Sequence, residues 1–163
     1  MTRAVLSIGS NLGDRAATLT QAHEAFRPWL VTASPVYETP PWGPVPQDDY
    51  LNAVLIAEDP AAEPALWLAR AQAAEQAAGR VRDVRWGPRS LDVDVIAVDG
   101  VVSDDPVLML PHPRAAERAF VLVPWLAADP SARLGRRPVA ELVAELPAAE
   151  VAAVRRCADV ALA

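Results

Sequence analysis

Alternation of apolar and acidic residues is sharpest between Leu91 and Ile96, where Leu91, Val93 and Val95 take one parity and Asp92 and Asp94 the other. In an extended strand the two sets project to opposite faces, so the aspartates stand side by side, about 6–7 Å apart at a rise of about 3.3 Å per residue. The pattern elsewhere predicts strands over residues 5–8, 31–37 and 50–57, the last with Tyr50, Asn52 and Val54 on one face. Helices are predicted over 15–26, with Asp14 as N-cap, and over 64–78, with Pro64 near the start and Gly79 as the stop. Asp99-Gly100 reads as a hairpin turn into 101–103, followed by helices over 119–127, 139–146 and 150–160. The order βαββαβ with C-terminal additions predicts an α+β fold of the ferredoxin-like kind, two helices on one face of a mainly antiparallel four-stranded sheet. On that arrangement Asn52, Asp92 and Asp94 share the opposite, helix-free face.

Length changes the picture little: 163 residues suit one domain, 1–163, able to bury a core without disulfide or metal staples. The apolar runs are shorter than the roughly 18–20 residues of a membrane span, and the N-terminal stretch shows no signal-peptide pattern, so a cytoplasmic protein is expected. Cys157 is the only cysteine, which excludes an intrachain disulfide and a cysteine-based metal cluster. The net charge of −6 argues against general binding to nucleic acid, which needs a broad basic surface. All fifteen basic residues are arginine, so no lysine can be catalytic.

Against that acidic background, Arg80, Arg82, Arg85 and Arg89 place four guanidinium groups within ten residues, directly before the aspartates. Parallel carboxylates are best tolerated beside a hard divalent cation, for which magnesium is the natural candidate, and planar guanidinium groups suit phosphate oxygens. Either feature alone is commonly surface solvation; together they fit metal-assisted chemistry on an anion. Between the second and third strands, Pro40, Pro41, Pro44 and Pro46 stiffen a loop that also carries Trp42, able to wall a flat ligand. Asn52 is either a satisfied edge amide or a reader of a hydrogen-bonding ring. Gln72 and Glu75 neighbour each other on the second helix. His23 has no ligand partner at helical spacing, and the Gly9–Gly13 turn lacks the motif of a phosphate loop.

The stretch from Arg85 to Ile96, with Gly9-Ser10-Asn11-Leu12-Gly13, Tyr37 to Pro44, Asp49-Tyr50-Leu51-Asn52, Gly79 to Arg82, Pro111-His112, Arg118 and Phe120, resembles the 6-hydroxymethyl-7,8-dihydropterin pyrophosphokinases of folate biosynthesis. The resemblance covers nearly the whole chain. It implies a monomeric enzyme that moves the pyrophosphoryl group of ATP to the pterin hydroxymethyl oxygen, with two Mg²⁺ ions and without nucleic-acid or membrane partners. It further implies that Asp92 and Asp94 bind metal and that Arg80 and Arg89 are catalytic. Gln72, Glu75, Arg82, Arg85, Trp86, Arg89, His112 and Arg118 would surround the nucleotide. Thr39, Pro40, Pro41, Trp42, Gly43, Tyr50, Asn52 and Phe120 would form the pterin pocket. The chain departs from the best-known members in Pro113, where they carry tyrosine, in a loop between Arg82 and Arg85 one residue shorter, and in Trp42, where leucine is common. Two rivals use parts of the same pattern: a metal-dependent phosphodiesterase, which needs a further His or carboxylate beside the acid pair, and a non-catalytic ligand-binding module, which does not need the pair at all.

Overall fold

The computed structural model describes residues 2–41, 43–79 and 90–162. Strand β1 (Thr2–Ser10) leads into helix α1 (Arg15–Phe26), whose first turn is capped by Asp14 accepting from the Ala17 N–H at 3.0 Å. Next come β2 (Leu30–Ala33), β3 (Tyr37–Thr39), β4 (Tyr50–Asp59), α2 (Pro64–Ala77) and β5 (Asp92–Val98). The chain closes with α3 (Ala119–Ala128), the small hairpin β6 (Arg133–Leu134) and β7 (Arg137–Pro138), α4 (Val139–Glu145), α5 (Ala148–Ala152) and β8 (Arg155–Arg156).

The sheet runs β5-β1-β4-β3-β8, with β2 alongside the other end of β4, and all its pairings are antiparallel. This is the expected ferredoxin-like order. The predicted strand over 31–37 is divided in two. Pro35 has no N–H to give a ladder, and at the break the Ser34 side chain takes over, its Oγ accepting the Val54 N–H at 2.9 Å while its own N–H donates to the Val54 carbonyl at 2.8 Å.

Both faces of the sheet are buried, in different ways. On one, Leu6, Ile8, Ala53, Leu55, Val93 and Val95 pack with Leu19 and Phe26 of α1 and Trp67 and Ala71 of α2. The other parity supplies Val5, Val54, Ile56 and Ile96, which pack with Val121, Leu122 and Trp125 of α3 and Val139 and Leu142 of α4. The second face is therefore not helix-free, as the sequence pattern led us to expect. Helices cover its apolar half and leave the polar half, where Asn52, Asp92 and Asp94 lie, beside them.

Two further expectations change. The turn at Asp99-Gly100 forms, with the Val101 N–H donating to Val98 at 3.0 Å, but the strand after it is reduced to one bridge between Ser103 and Leu110. The helix expected over 150–160 stops at Ala152; the chain then turns to pair Arg155 and Arg156 with Glu38 and Tyr37, adding β8 to the sheet edge. No helix among the described residues is long and apolar enough to cross a membrane.

Candidate active site

Strand register assembles the polar half of the sheet. Asn52 of β4 lies opposite Gly9 of β1, and Gly9 lies opposite Asp92 of β5; one step down, Ser7 separates Val54 from Asp94. Asn52 and Asp92 thus face the same side across one intervening strand, about 10 Å apart at the usual strand spacing. Gly9 keeps the floor between them open: a Cβ there would sit 2.5 Å from Asn52 Oδ1 and 3.3 Å from Tyr50 Cδ2. This is the reason for glycine in mid-strand, where it otherwise weakens a sheet.

Asn52 is buried, and its Nδ2 donates to the buried Thr39 Oγ1 at 2.5 Å. Thr39 lies opposite Tyr50 in the β3–β4 ladder, so the amide, the hydroxyl and the tyrosine form one polar end of the face. Pro40, Pro41 and Gly43 continue from Thr39 into the loop, Pro41 half-buried and the other two exposed.

At the other end, Arg118 and His112 converge on Asp94. Arg118 stands at the N-terminus of α3, largely buried, with Nη1 4.0 Å from Asp94 Oδ2 and its guanidinium 5.5 Å over the Phe120 ring. Burial lowers the Arg118 pKa; Asp94 opposes it, Arg114 adds to the lowering, and Asp92 and Glu117 also oppose it. A β-bulge fixes His112. The β1–β5 register shifts between Val5 and Leu6, leaving Ile96 as the extra residue, and the Ile96 carbonyl accepts the His112 N–H at 2.7 Å. His112 Nδ1 accepts the Arg114 N–H at 3.2 Å, so the neutral ring carries its proton on Nε2. Burial holds the imidazole below its usual pKa, Asp94 works against that, and Arg118 and Arg114 reinforce it.

The remaining expected residues divide. Glu75, buried on α2, accepts the Val93 N–H at 3.0 Å, which places it on the outer edge of the strand that carries the aspartates rather than on their face. Gln72, one turn away, is exposed. Trp42, Arg80, Arg82, Arg85, Trp86 and Arg89 lie outside the described residues. Gly9 enters the sequence reading only as the start of a turn and in the resemblance, and the Ile96 carbonyl not at all, because their places beside Asn52 and His112 are set by cross-strand register and a bulge, which leave no local trace.

Among the described residues no group of three or more His, Cys, Asp or Glu side chains could hold a metal ion. The donor set does fit magnesium in another way. Two hard carboxylate oxygen donors on one rigid strand can hold an ion whose other ligands are phosphate oxygens and water, the usual state of Mg²⁺ beside a nucleotide.

Fold and site together define an α+β ferredoxin-like protein whose sheet presents acids, an amide and an aromatic ring on one half-open face. Residues 5–130 match the family 7,8-dihydro-6-hydroxymethylpterin-pyrophosphokinase, and the chain belongs to that family. It is 53% identical over 168 residues to the 2-amino-4-hydroxy-6-hydroxymethyldihydropteridine pyrophosphokinase of Mycobacterium tuberculosis, covering 95% of this chain and 89% of the relative. The enzyme of that name from Methylorubrum extorquens is 46% identical over 150 residues, covering 90% of this chain and 94% of the relative. Among solved structures, wild-type HPPK-DHPS of Plasmodium falciparum shares the fold with a TM-score of 0.65 at 12% identity. That alignment covers 86% of this chain, which spans 43% of the length of the Plasmodium chain.

Proposed function

We propose that this chain transfers the pyrophosphoryl group of ATP to the hydroxymethyl oxygen of 6-hydroxymethyl-7,8-dihydropterin, releasing AMP. The observation that supports this most directly is the row Asn52–Gly9–Asp92, an amide and a carboxylate on one face at a spacing suited to a small bicyclic substrate. In this reading Asn52 and Thr39 hydrogen-bond the pterin edge, Tyr50 and Phe120 contact its faces, and Pro40, Pro41, Trp42 and Gly43 belong to the same pocket. Asp92 and Asp94 would hold two Mg²⁺ ions, which when bound neutralise charge on the triphosphate. Arg118 and the neutral His112 donate hydrogen bonds to nucleotide oxygens from the Asp94 end. Arg82, Arg85, Trp86 and Gln72 complete the nucleotide site, while Glu75 supports it by fixing the edge of β5. Arg80 and Arg89 take the charge that develops on the transferred group. The reaction needs no second subunit, since the acids, the amide and the aromatic ring belong to one sheet and its flanking helix, and a cytoplasmic monomer fits that.

Asp92→Asn and Asp94→Asn test the reading. Each variant should lose at least about a hundredfold in turnover, as expected when a metal ligand is removed, while its circular dichroism and melting remain those of a folded protein. Near-normal Mg²⁺-dependent activity in either would remove that aspartate from the metal site.

A further inference from the structure

The loop between β3 and β4 carries the proline wall, and prolines cannot hold a loop through their own N–H groups. Side chains from elsewhere do so. Arg15, at the first turn of α1, reaches both stems at once: Nη1 donates to Glu38 Oε2 at 3.0 Å on the ascending side and to the Asp49 carbonyl at 2.9 Å on the descending side. Arg155 of β8 repeats the bridge from the sheet edge, Nη2 lying 3.4 Å from Glu38 Oε1 and 3.3 Å from Asp49 Oδ2. Glu38 and Asp49 immediately precede Thr39 and Tyr50, two residues of the ligand-facing end. An open cleft of about 480 Å³ lies beside the stems, among Asn11, Gly13, Arg15, Glu38, Gln47 and Asp49; across it Asn11 Nδ2 donates to Gln47 Oε1 at 2.6 Å and to the Asp48 carbonyl at 2.9 Å, so Asn11 holds the descending side alone whereas Arg15 ties the two stems together.

We propose that Arg15, assisted by Arg155, is a positioning residue for the pterin-facing loop: it pins both stems through Glu38 and Asp49 and so sets where Thr39 and Tyr50 meet the ring. The proposal rests on the pterin reading of the site given above. Arg15 is the stronger pin. It is the more buried of the two cations and its bonds are shorter, whereas the Arg155 pairs are solvent-exposed and each contributes little alone.

Two readouts separate positioning from general stability and from the identity of the substrate. In steady-state assays, Arg15→Ala should raise the pterin KM by about tenfold, the scale of losing preorganisation in a binding loop, with the MgATP KM and kcat within about twofold of wild type. Glu38→Ala should raise the pterin KM by less, since Arg15 keeps its bond to the Asp49 carbonyl, and the double variant should fall short of the product of the two single effects, because they share the Arg15–Glu38 contact. Arg15→Lys should recover part of the loss. Independently of turnover, hydrogen exchange of the ligand-free Arg15→Ala protein should be faster at residues 43–49 but unchanged in β1 and β5. Unchanged exchange at 43–49, or equal rises in both KM values together with additive losses in the double variant, would overturn the proposal. A wild-type protein inactive on the pterin would instead count against the reaction, leaving the exchange result to decide the clamp.

Discussion

Adding one methyl group at Gly9 is the sharpest perturbation of this site. The new Cβ would stand 2.5 Å from Asn52 Oδ1, about 1 Å inside the separation at which non-bonded atoms pack. Asn52 cannot yield cheaply, since it is buried and its amide is held by Thr39 at 2.5 Å. Either the amide rotates and loses a buried hydrogen bond, a cost of about 1–3 kcal/mol, or β1 and β4 separate at a similar overpacking cost. The lower backbone entropy of alanine in the unfolded chain returns about 0.4–1 kcal/mol. A net loss of about 1–2 kcal/mol follows, or a Tm lower by about 2–8 °C for a chain of this size. Pterin affinity should fall further than stability alone explains, by about tenfold or more, because the displaced group is the proposed ring reader. Gly13→Ala is the control: φ there is +70° with nothing within 4 Å, so that variant should pay about 1–2 kcal/mol of backbone strain and leave pterin affinity alone. Thermal melts with calorimetric titration of the pterin decide the matter. If Gly9→Ala melts at or above the wild-type temperature and binds pterin within twofold of it, the steric account of the floor is wrong.

Two other outcomes are expected. Phe120→Ala should weaken pterin binding by about 1–3 kcal/mol as an aromatic contact is lost, with a much smaller effect on ATP; equal losses in calorimetry would make Phe120 a packing residue. The imidazole of His112 has its pKa lowered on folding by burial, so below about pH 6.5 the unfolded chain binds more protons than the folded one and ligand-free stability falls as the pH drops. Between pH 7.5 and 5.5 the Tm of His112→Asn, which keeps an acceptor for the Arg114 N–H, should therefore decline less than that of wild type; parallel declines would rule out His112 as the source.

Local chemistry made several elements legible. Helix α1 was readable to the residue because Asp14 is a cap with a real acceptor role, and β5 because its alternation matches a half-buried strand. What depended on distant partners was not. The division between β2 and β3 turns on a serine hydroxyl taking a ladder position from Val54, and β8 exists only because the edge of β3 is within reach. The covered half of the site face does leave a mark in the sequence: Ala53 and Leu55 on one parity of β4, with Val54 and Ile56 on the other, are the run of a strand buried on both sides. Asp92, Asp94, Asn52 and Thr39, singled out by parity, chemistry and resemblance, share a face in the structure, and Glu75, expected near the nucleotide, accepts a hydrogen bond at the outer edge of β5, a contact that helical spacing does not reveal.

The leaving nucleotide reports which phosphorus of ATP is attacked. Attack at the β-phosphorus releases AMP, attack at the γ-phosphorus releases ADP, and hydrolysis releases pyrophosphate or phosphate without need of the pterin. The measurement is chromatographic analysis of the purified protein with ATP, Mg²⁺ and 6-hydroxymethyl-7,8-dihydropterin, with and without the pterin. AMP and the pterin diphosphate are expected in equal amounts, with little AMP when the pterin is omitted; ADP as the product, or pyrophosphate released without pterin, would rule out pyrophosphoryl transfer to the pterin.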